Sequence, residues 1–94
     1  MSDFGTALVH LKAGHRVARG EGWNGKGMWI ALSPGGIVPA TSFWSPANRE
    51  YASQQPDKTA VVQPYITMKN AQGQIVPWAP SQSDMLAEDW QVLS

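Results

Sequence analysis

Two tryptophan segments, Gly22-Trp23-Asn24-Gly25 and Pro77-Trp78, hold the side chains of this sequence best suited to recognising a flat polar molecule. An indole fixed at irregular backbone can stack on a purine face, at roughly 1–3 kcal/mol per base, while its N–H meets an acceptor. Both segments supply irregular backbone: Asn24-Gly25 favours a turn, and Pro77 confines its position to a strand end or a sheet edge. The chain holds five tryptophans, at positions 23, 29, 44, 78 and 90. Trp29 and Trp90 fall inside apolar strand patterns and are expected in the core. For Trp23 and Trp78, stacking on a ligand competes evenly with plugging the end of a small core or a protomer interface.

Asp84 is the acid best placed for recognition. A carboxylate at a helix start can accept hydrogen bonds from ribose hydroxyls or an exocyclic amine, and can equally well serve as a capping partner. Glu88 and Asp89 read as solvated surface. His10, on the polar face of a first helix, and His15, just past its end, lie in neither a nucleophile elbow nor a zinc-binding repeat. Hydrolysis of a nucleotide would have Asp84 as its base, with no metal set and no positioned histidine, so it ranks last. Gly22-x-x-Gly25-x-Gly27 matches no phosphate-loop or dinucleotide fingerprint, and turn geometry accounts for it.

The elements that must position these groups are short. At 94 residues the chain has room for one core, hence a single domain over 1–94, and self-association is a natural supplement to the modest stability of so small a fold. Seven basic and seven acidic residues leave no electropositive footprint for duplex nucleic acid, whereas a small phosphorylated ligand needs only one or two local cations. The absence of cysteine suits a reducing compartment, and the start Met1-Ser2-Asp3-Phe4 and the lack of a long apolar run predict neither a leader nor a membrane span.

Phe4, Ala7, Leu8 and Leu11 form one helical face, with a cap at Ser2 or Asp3 and a stop at Gly14. His15 to Arg19 alternates as a strand, and Met28 to Leu32 is a buried strand. From Ile37 to Pro64 the prolines predict mostly loop, docked by Val38 and Phe43-Trp44, with one helical turn at Asn48 to Tyr51. Tyr65 to Lys69 and Gln74 to Val76 flank the turn residues Asn70-Ala71-Gln72-Gly73 as a hairpin. Ser81-x-x-Asp84 is a capping box opening a second helix, and Trp90 to Leu93 closes the chain as a strand. The order predicts an α+β fold with a small antiparallel sheet, an N-terminal helix and a short helix near the C-terminus.

Six ordered blocks carry a resemblance: Phe4-Gly5-x-Ala7-Leu8, Arg16-Val17-Ala18-Arg19, Gly22 to Met28, Pro64-Tyr65-Ile66-x-Met68-Lys69, Ile75-Val76-Pro77-Trp78, and Ser81-Gln82-x-Asp84 to Trp90. Together they resemble the second Thoeris anti-defence family of phage and prophage proteins. The resemblance implies a non-catalytic sponge, a homo-oligomer, typically a tetramer, acting in the cytoplasm of the infected bacterial host. Such a sponge binds the glycocyclic ADP-ribose signal of TIR enzymes, and in some relatives cyclic oligonucleotides as well, with no cofactor. Carried onto this chain, the implied pocket uses Trp23, Asn24, Trp78, Gln82 and Asp84, with Met28 and Tyr65 lining the wall and Lys26 or Arg19 facing the diphosphate. The two tryptophans become two walls of one pocket, within one chain or across protomers. The stretch from Pro39 to Lys58 departs from the pattern, being longer and more polar. The competing reading is a structural or protein-interaction module of a phage, with the same aromatics at a protein interface.

Overall fold

The computed structural model describes residues 2–20 and 22–94, apart from the side chain of Asn24. The strands are β1 (Val17–Arg19), β2 (Trp29–Ser33), β3 (Gly36–Pro39), β4 (Thr59–Val62), β5 (Tyr65–Lys69), β6 (Ile75–Pro77) and β7 (Trp90–Val92). The helices are α1 (Phe4–Lys12), α2 (Pro46–Ser53) and α3 (Gln82–Leu86). The chain divides into two compact units, residues 1–33 with 65–94, and residues 34–64. The α+β class with an antiparallel sheet is therefore as expected.

In the larger unit, five strands form one antiparallel sheet in the order β6-β5-β2-β1-β7. The register aligns Val92, Val17, Ile30, Met68 and Val76 across all five strands, which places these side chains on one face. Val17, Ile30 and Met68 are buried there with Ala7 and Leu11 of α1, whose apolar stripe is the predicted one. Asp3 caps α1, its carboxylate accepting from the Thr6 N–H at 2.8 Å, and that bond holds the Asp3 carboxyl below its usual range. Gly14, at φ +94°, follows the helix as the left-handed residue that ends it.

The same alternation corrects the expectation for Trp29. Ile30 points to the core, so its neighbour Trp29 lies on the opposite face of the sheet, half-buried, with the Arg16 guanidinium 5.3 Å above its ring. Trp90 is fully buried, as expected.

The smaller unit overturns the reading of residues 37–64 as mostly loop. β3 and β4 pair as an antiparallel ribbon, a 3-10 turn spans Ala40–Ser42, and α2 has eight residues rather than one turn. Pro46 occupies the first helical turn, where a missing N–H is harmless, and Ser45 caps the helix by accepting from the Asn48 N–H. A proline that looked like a breaker is thus a helix start. Gly35, at φ +75°, leads into the ribbon where any Cβ would collide with the Val62 carbonyl. Phe43 is half-buried, but Trp44 does not dock: it is 97% exposed.

Candidate functional site

Beneath the first turn of α1, four aromatic side chains from four segments meet. Trp90, at the start of β7, lies at the centre, with ring centroids 5.3 Å from Phe4, 5.3 Å from Trp23 and 6.2 Å from Trp78. Trp23 and Trp78 are 6.0 Å apart at an interplanar angle of 90°, so the chain brings together both tryptophan segments singled out by sequence. The indole pairs are edge-to-face, the arrangement favoured by the ring quadrupole, and no indole is stacked in parallel on another. Trp23, Trp78 and Met28 are half-buried and pack against the core, so the two tryptophans serve the core whatever else they do.

The loop bearing Trp23 is fastened from inside. The Trp23 carbonyl accepts from the N–H groups of Lys26 and Met28, both at 3.0 Å, closing a 3-10 turn over Asn24–Lys26. The expected contact of Asn24 rests on its side chain, which lies outside the described atoms. Lys26 is exposed at the end of this turn. From β5, the Lys69 ammonium donates to the Gly27 carbonyl at 2.7 Å and ties the loop to the sheet. Sequence gave no sign of this partner, 42 residues away.

Beside the aromatics, α3 begins with the predicted capping box: Asp84 N–H donates to Ser81 Oγ at 3.1 Å, and Ser81 N–H donates to Asp84 Oδ2 at 3.0 Å. Asp84 Oδ1 accepts from Arg19 Nη1 at 3.1 Å, and Arg19 Nε donates to Asp89 Oδ1 at 3.0 Å. The bond to Asp89 and, after it, the bond to Asp84 hold the Arg19 guanidinium above its ordinary pKa, so it is a fixed cation wherever the chain folds. Two carboxylates flank this one guanidinium, so the three side chains together carry no net positive charge. Asp84 is joined to the aromatic cluster through its backbone, since Trp90 Nε1–H donates to the Asp84 carbonyl at 2.9 Å.

Of the remaining candidates, Gln82 is exposed at the first position of α3, on the same turn as Asp84. Tyr65 is not brought to the cluster: it is exposed at the start of β5, and alternation places it on the sheet face opposite Ile66 and Met68. Two cavities, of about 400 and 300 Å3, lie in the smaller unit and include none of the candidate residues. Among the described residues no three His, Cys, Asp or Glu side chains gather as a metal site, and no helix is long and apolar enough to cross a membrane.

With Arg19 replaced by methionine, Asp84 and Asp89 lose charge-assisted hydrogen bonds and face each other half-buried. Arg19→Met is expected to lower stability by roughly 1.5–3 kcal/mol in urea denaturation, and adding Asp89→Asn should recover part of the loss by removing the repulsion. An unchanged midpoint in Arg19→Met would show that solvent screens these groups completely.

The family model for the Thoeris anti-defense 2-like domain matches residues 2–93. Over 92 residues the sequence is 38% identical to the protein named Thoeris anti-defense 2 of Bacillus phage SP01, covering 98% of this chain and 94% of that one. The chain belongs to the Thoeris anti-defense 2-like family. The match runs through every group just described, from the Asp3 cap to β7, so the aromatic cluster and the Arg19 hub lie within a Thoeris anti-defense 2-like domain.

Proposed function

We propose that this chain is a phage anti-defence protein that binds and holds a nucleotide-derived immune signal without degrading it. The signal is of the glycocyclic ADP-ribose class, with cyclic oligonucleotides as a second class, and the protein acts as a homo-oligomer, a tetramer in the simplest case, in the cytoplasm of the infected host. The observation that carries the reading is the meeting of Trp23 and Trp78 on Trp90, next to Asp84, in a chain of this family. Half-exposed indoles on a rigid support can take a base without first being ordered, which saves affinity otherwise lost to immobilisation.

The hydrogen-bonding pattern supports a different division of the polar roles from the one the resemblance implies. Both Asp84 oxygens are already engaged, so Gln82 and the exposed rim of α3 are the groups available to a ribose or a base edge. The charge of the Arg19 guanidinium is balanced by two carboxylates, so Lys26, exposed at the end of its turn, is the cation better placed for the diphosphate. A sponge needs affinity rather than rate, and nanomolar binding, about −12 kcal/mol, depletes a scarce signal when the protein is micromolar.

Calorimetric titration with cyclic ADP-ribose isomers and cyclic oligonucleotides tests the reading. Saturable binding, with the ligand recovered at unchanged mass after the protein is denatured, is the expected result. Failure of every isomer to bind at micromolar ligand would sink it, and a cleaved product would turn the sponge into an enzyme.

A further inference from the structure

We infer that the free edge of β4 pairs with the β4 edge of a second copy of this chain, joining two ribbons into one four-stranded sheet. The inference deepens the self-association included in the proposed function and concerns the smaller unit alone.

A two-stranded ribbon is marginal in water by itself, and the smaller unit supplies little core: among its described residues Ala40 and Ala52 are buried, whereas Ile37 and Val61 are 72% and 69% exposed. These two exposed side chains are cross-strand partners, so they stand side by side on one face of the ribbon.

The hydrogen-bond phase shows which backbone groups point outward. Ala40 N–H donates to the Lys58 carbonyl at 2.9 Å, one step beyond the Pro39–Thr59 pair. Antiparallel pairs alternate between bonded and non-bonded. Val38–Ala60 and Gly36–Val62 are therefore the bonded pairs, and the N–H and C=O of Val61 point away from β3. Thr59 N–H is satisfied locally by Asp57 Oδ1 at 3.3 Å, which leaves the Thr59 carbonyl facing the same edge.

The two outer edges of the ribbon are not equivalent. On β3, Pro39 falls in the outward phase and removes a donor, a common guard against strand addition. On β4, Thr59-Ala60-Val61-Val62 carries no charge and no proline. Both cavities lie against this strand and share Tyr51, Ala60 and Val61; the smaller adds Phe43 and Val62 and is mainly apolar, whereas the larger adds Gln55, Asp57 and Thr59.

A second copy fits this edge by symmetry. With a twofold axis at Val61, that residue exchanges both backbone bonds with the partner's Val61, and the Thr59 carbonyl accepts from the partner's Gln63. The pair Ile37–Val61 then continues into its own copy as an unbroken apolar row of four side chains. Charge favours the antiparallel sense: Lys58 falls opposite the partner's Pro64, whereas parallel pairing would set Lys58 against Lys58 and Asp57 against Asp57. Two four-residue strands with Tyr51 and Ile37 from each copy make a contact near the lower, roughly 1,000 Å2 end of specific interfaces.

The chain has no cysteine, so an introduced one reports alone. A bonded antiparallel pair sets Cα atoms about 5.5 Å apart, within the range a disulfide spans. Val61→Cys is expected to oxidise to a covalent dimer, whereas Ile37→Cys, equally exposed but one strand from the axis, should stay mostly uncrosslinked. Val61→Pro removes only an outward N–H, and Val61→Lys guards the edge while keeping the backbone intact. Each is expected to weaken association about tenfold or more in sedimentation velocity, with the far-ultraviolet spectrum of the wild type. Equal crosslinking of the two cysteine variants would overturn the interface, as would unchanged assembly of both Val61→Pro and Val61→Lys. All runs are made without ligand, so a monomeric wild type overturns this interface and leaves signal binding to its own titration.

Discussion

Trp90→Ala is expected to remove about half or more of the chain's folding stability. Trp90 is fully buried, and its ring is the common neighbour of Phe4, Trp23 and Trp78. Truncating a large buried aromatic costs about 3–5 kcal/mol, out of the ~5–10 kcal/mol that a domain of this size keeps. Two further losses add to that. The Asp84 carbonyl loses the indole N–H at 2.9 Å, and the end of α3 loses its tie to the sheet. The backbone pairing of Ser2 with Trp90 survives, but it then holds the N-terminus against a cavity. At an m-value near 1 kcal/mol/M, the urea midpoint should fall by a few molar. Trp90→Phe keeps a ring and loses the hydrogen bond, so its midpoint should lie between the two. A fall of less than about 1 M in Trp90→Ala would mean that the cluster is not the centre of the fold.

What could be read from the residues alone follows the range of the interactions involved. The Asp3 cap, the Ser81–Asp84 box and the α1 stripe act within a turn or two, so type and spacing reveal them. The hairpin of β5 and β6 is equally local. Trp29 and Ile30 show the first limit. A continuous apolar run does not say which of its neighbours faces inward, and only pairing with Met68 on one side and Val17 on the other settles it. The ribbon shows the second limit: Ile37 meets Val61 across a helix and a turn, and the prolines between them hide both strands. In the candidate site, the two tryptophan loops were legible because indoles at broken backbone are unusual. The hub was not: Arg19 finds Asp84 and Asp89 at separations of 65 and 70 residues. Arg19 bridges two carboxylates from the far end of the chain, and Asp84 closes the capping box that its spacing predicts.

Trp78→Ala and Trp23→Ala are expected to reduce signal affinity sharply while leaving the chain folded. Stacking of one base on an aromatic is worth roughly 1–3 kcal/mol, so each variant should raise Kd about 5- to 150-fold at 1.4 kcal/mol per decade. Both side chains are half-buried on the core, so a stability loss accompanies the substitution, but neither carries the central position or the indole hydrogen bond of Trp90. Trp44→Ala is the matched control: it deletes an indole that is 97% exposed in the other unit, and its Kd should equal that of the wild type. Assembly must be read beside affinity, because the competing role for these rings is adhesion between protomers. Under the sponge reading, Trp23→Ala sediments as the wild type does and binds weakly. If it binds as the wild type does and falls apart into smaller species, the rings are interfacial and the protein-interaction reading takes the place of the sponge. The edge-to-face packing of Trp23 and Trp78 on a single Trp90 ties the two variants together, since removing one wall unsettles the other. The double variant is therefore expected to lose less than the sum of the single losses, as neighbours that share a partner do.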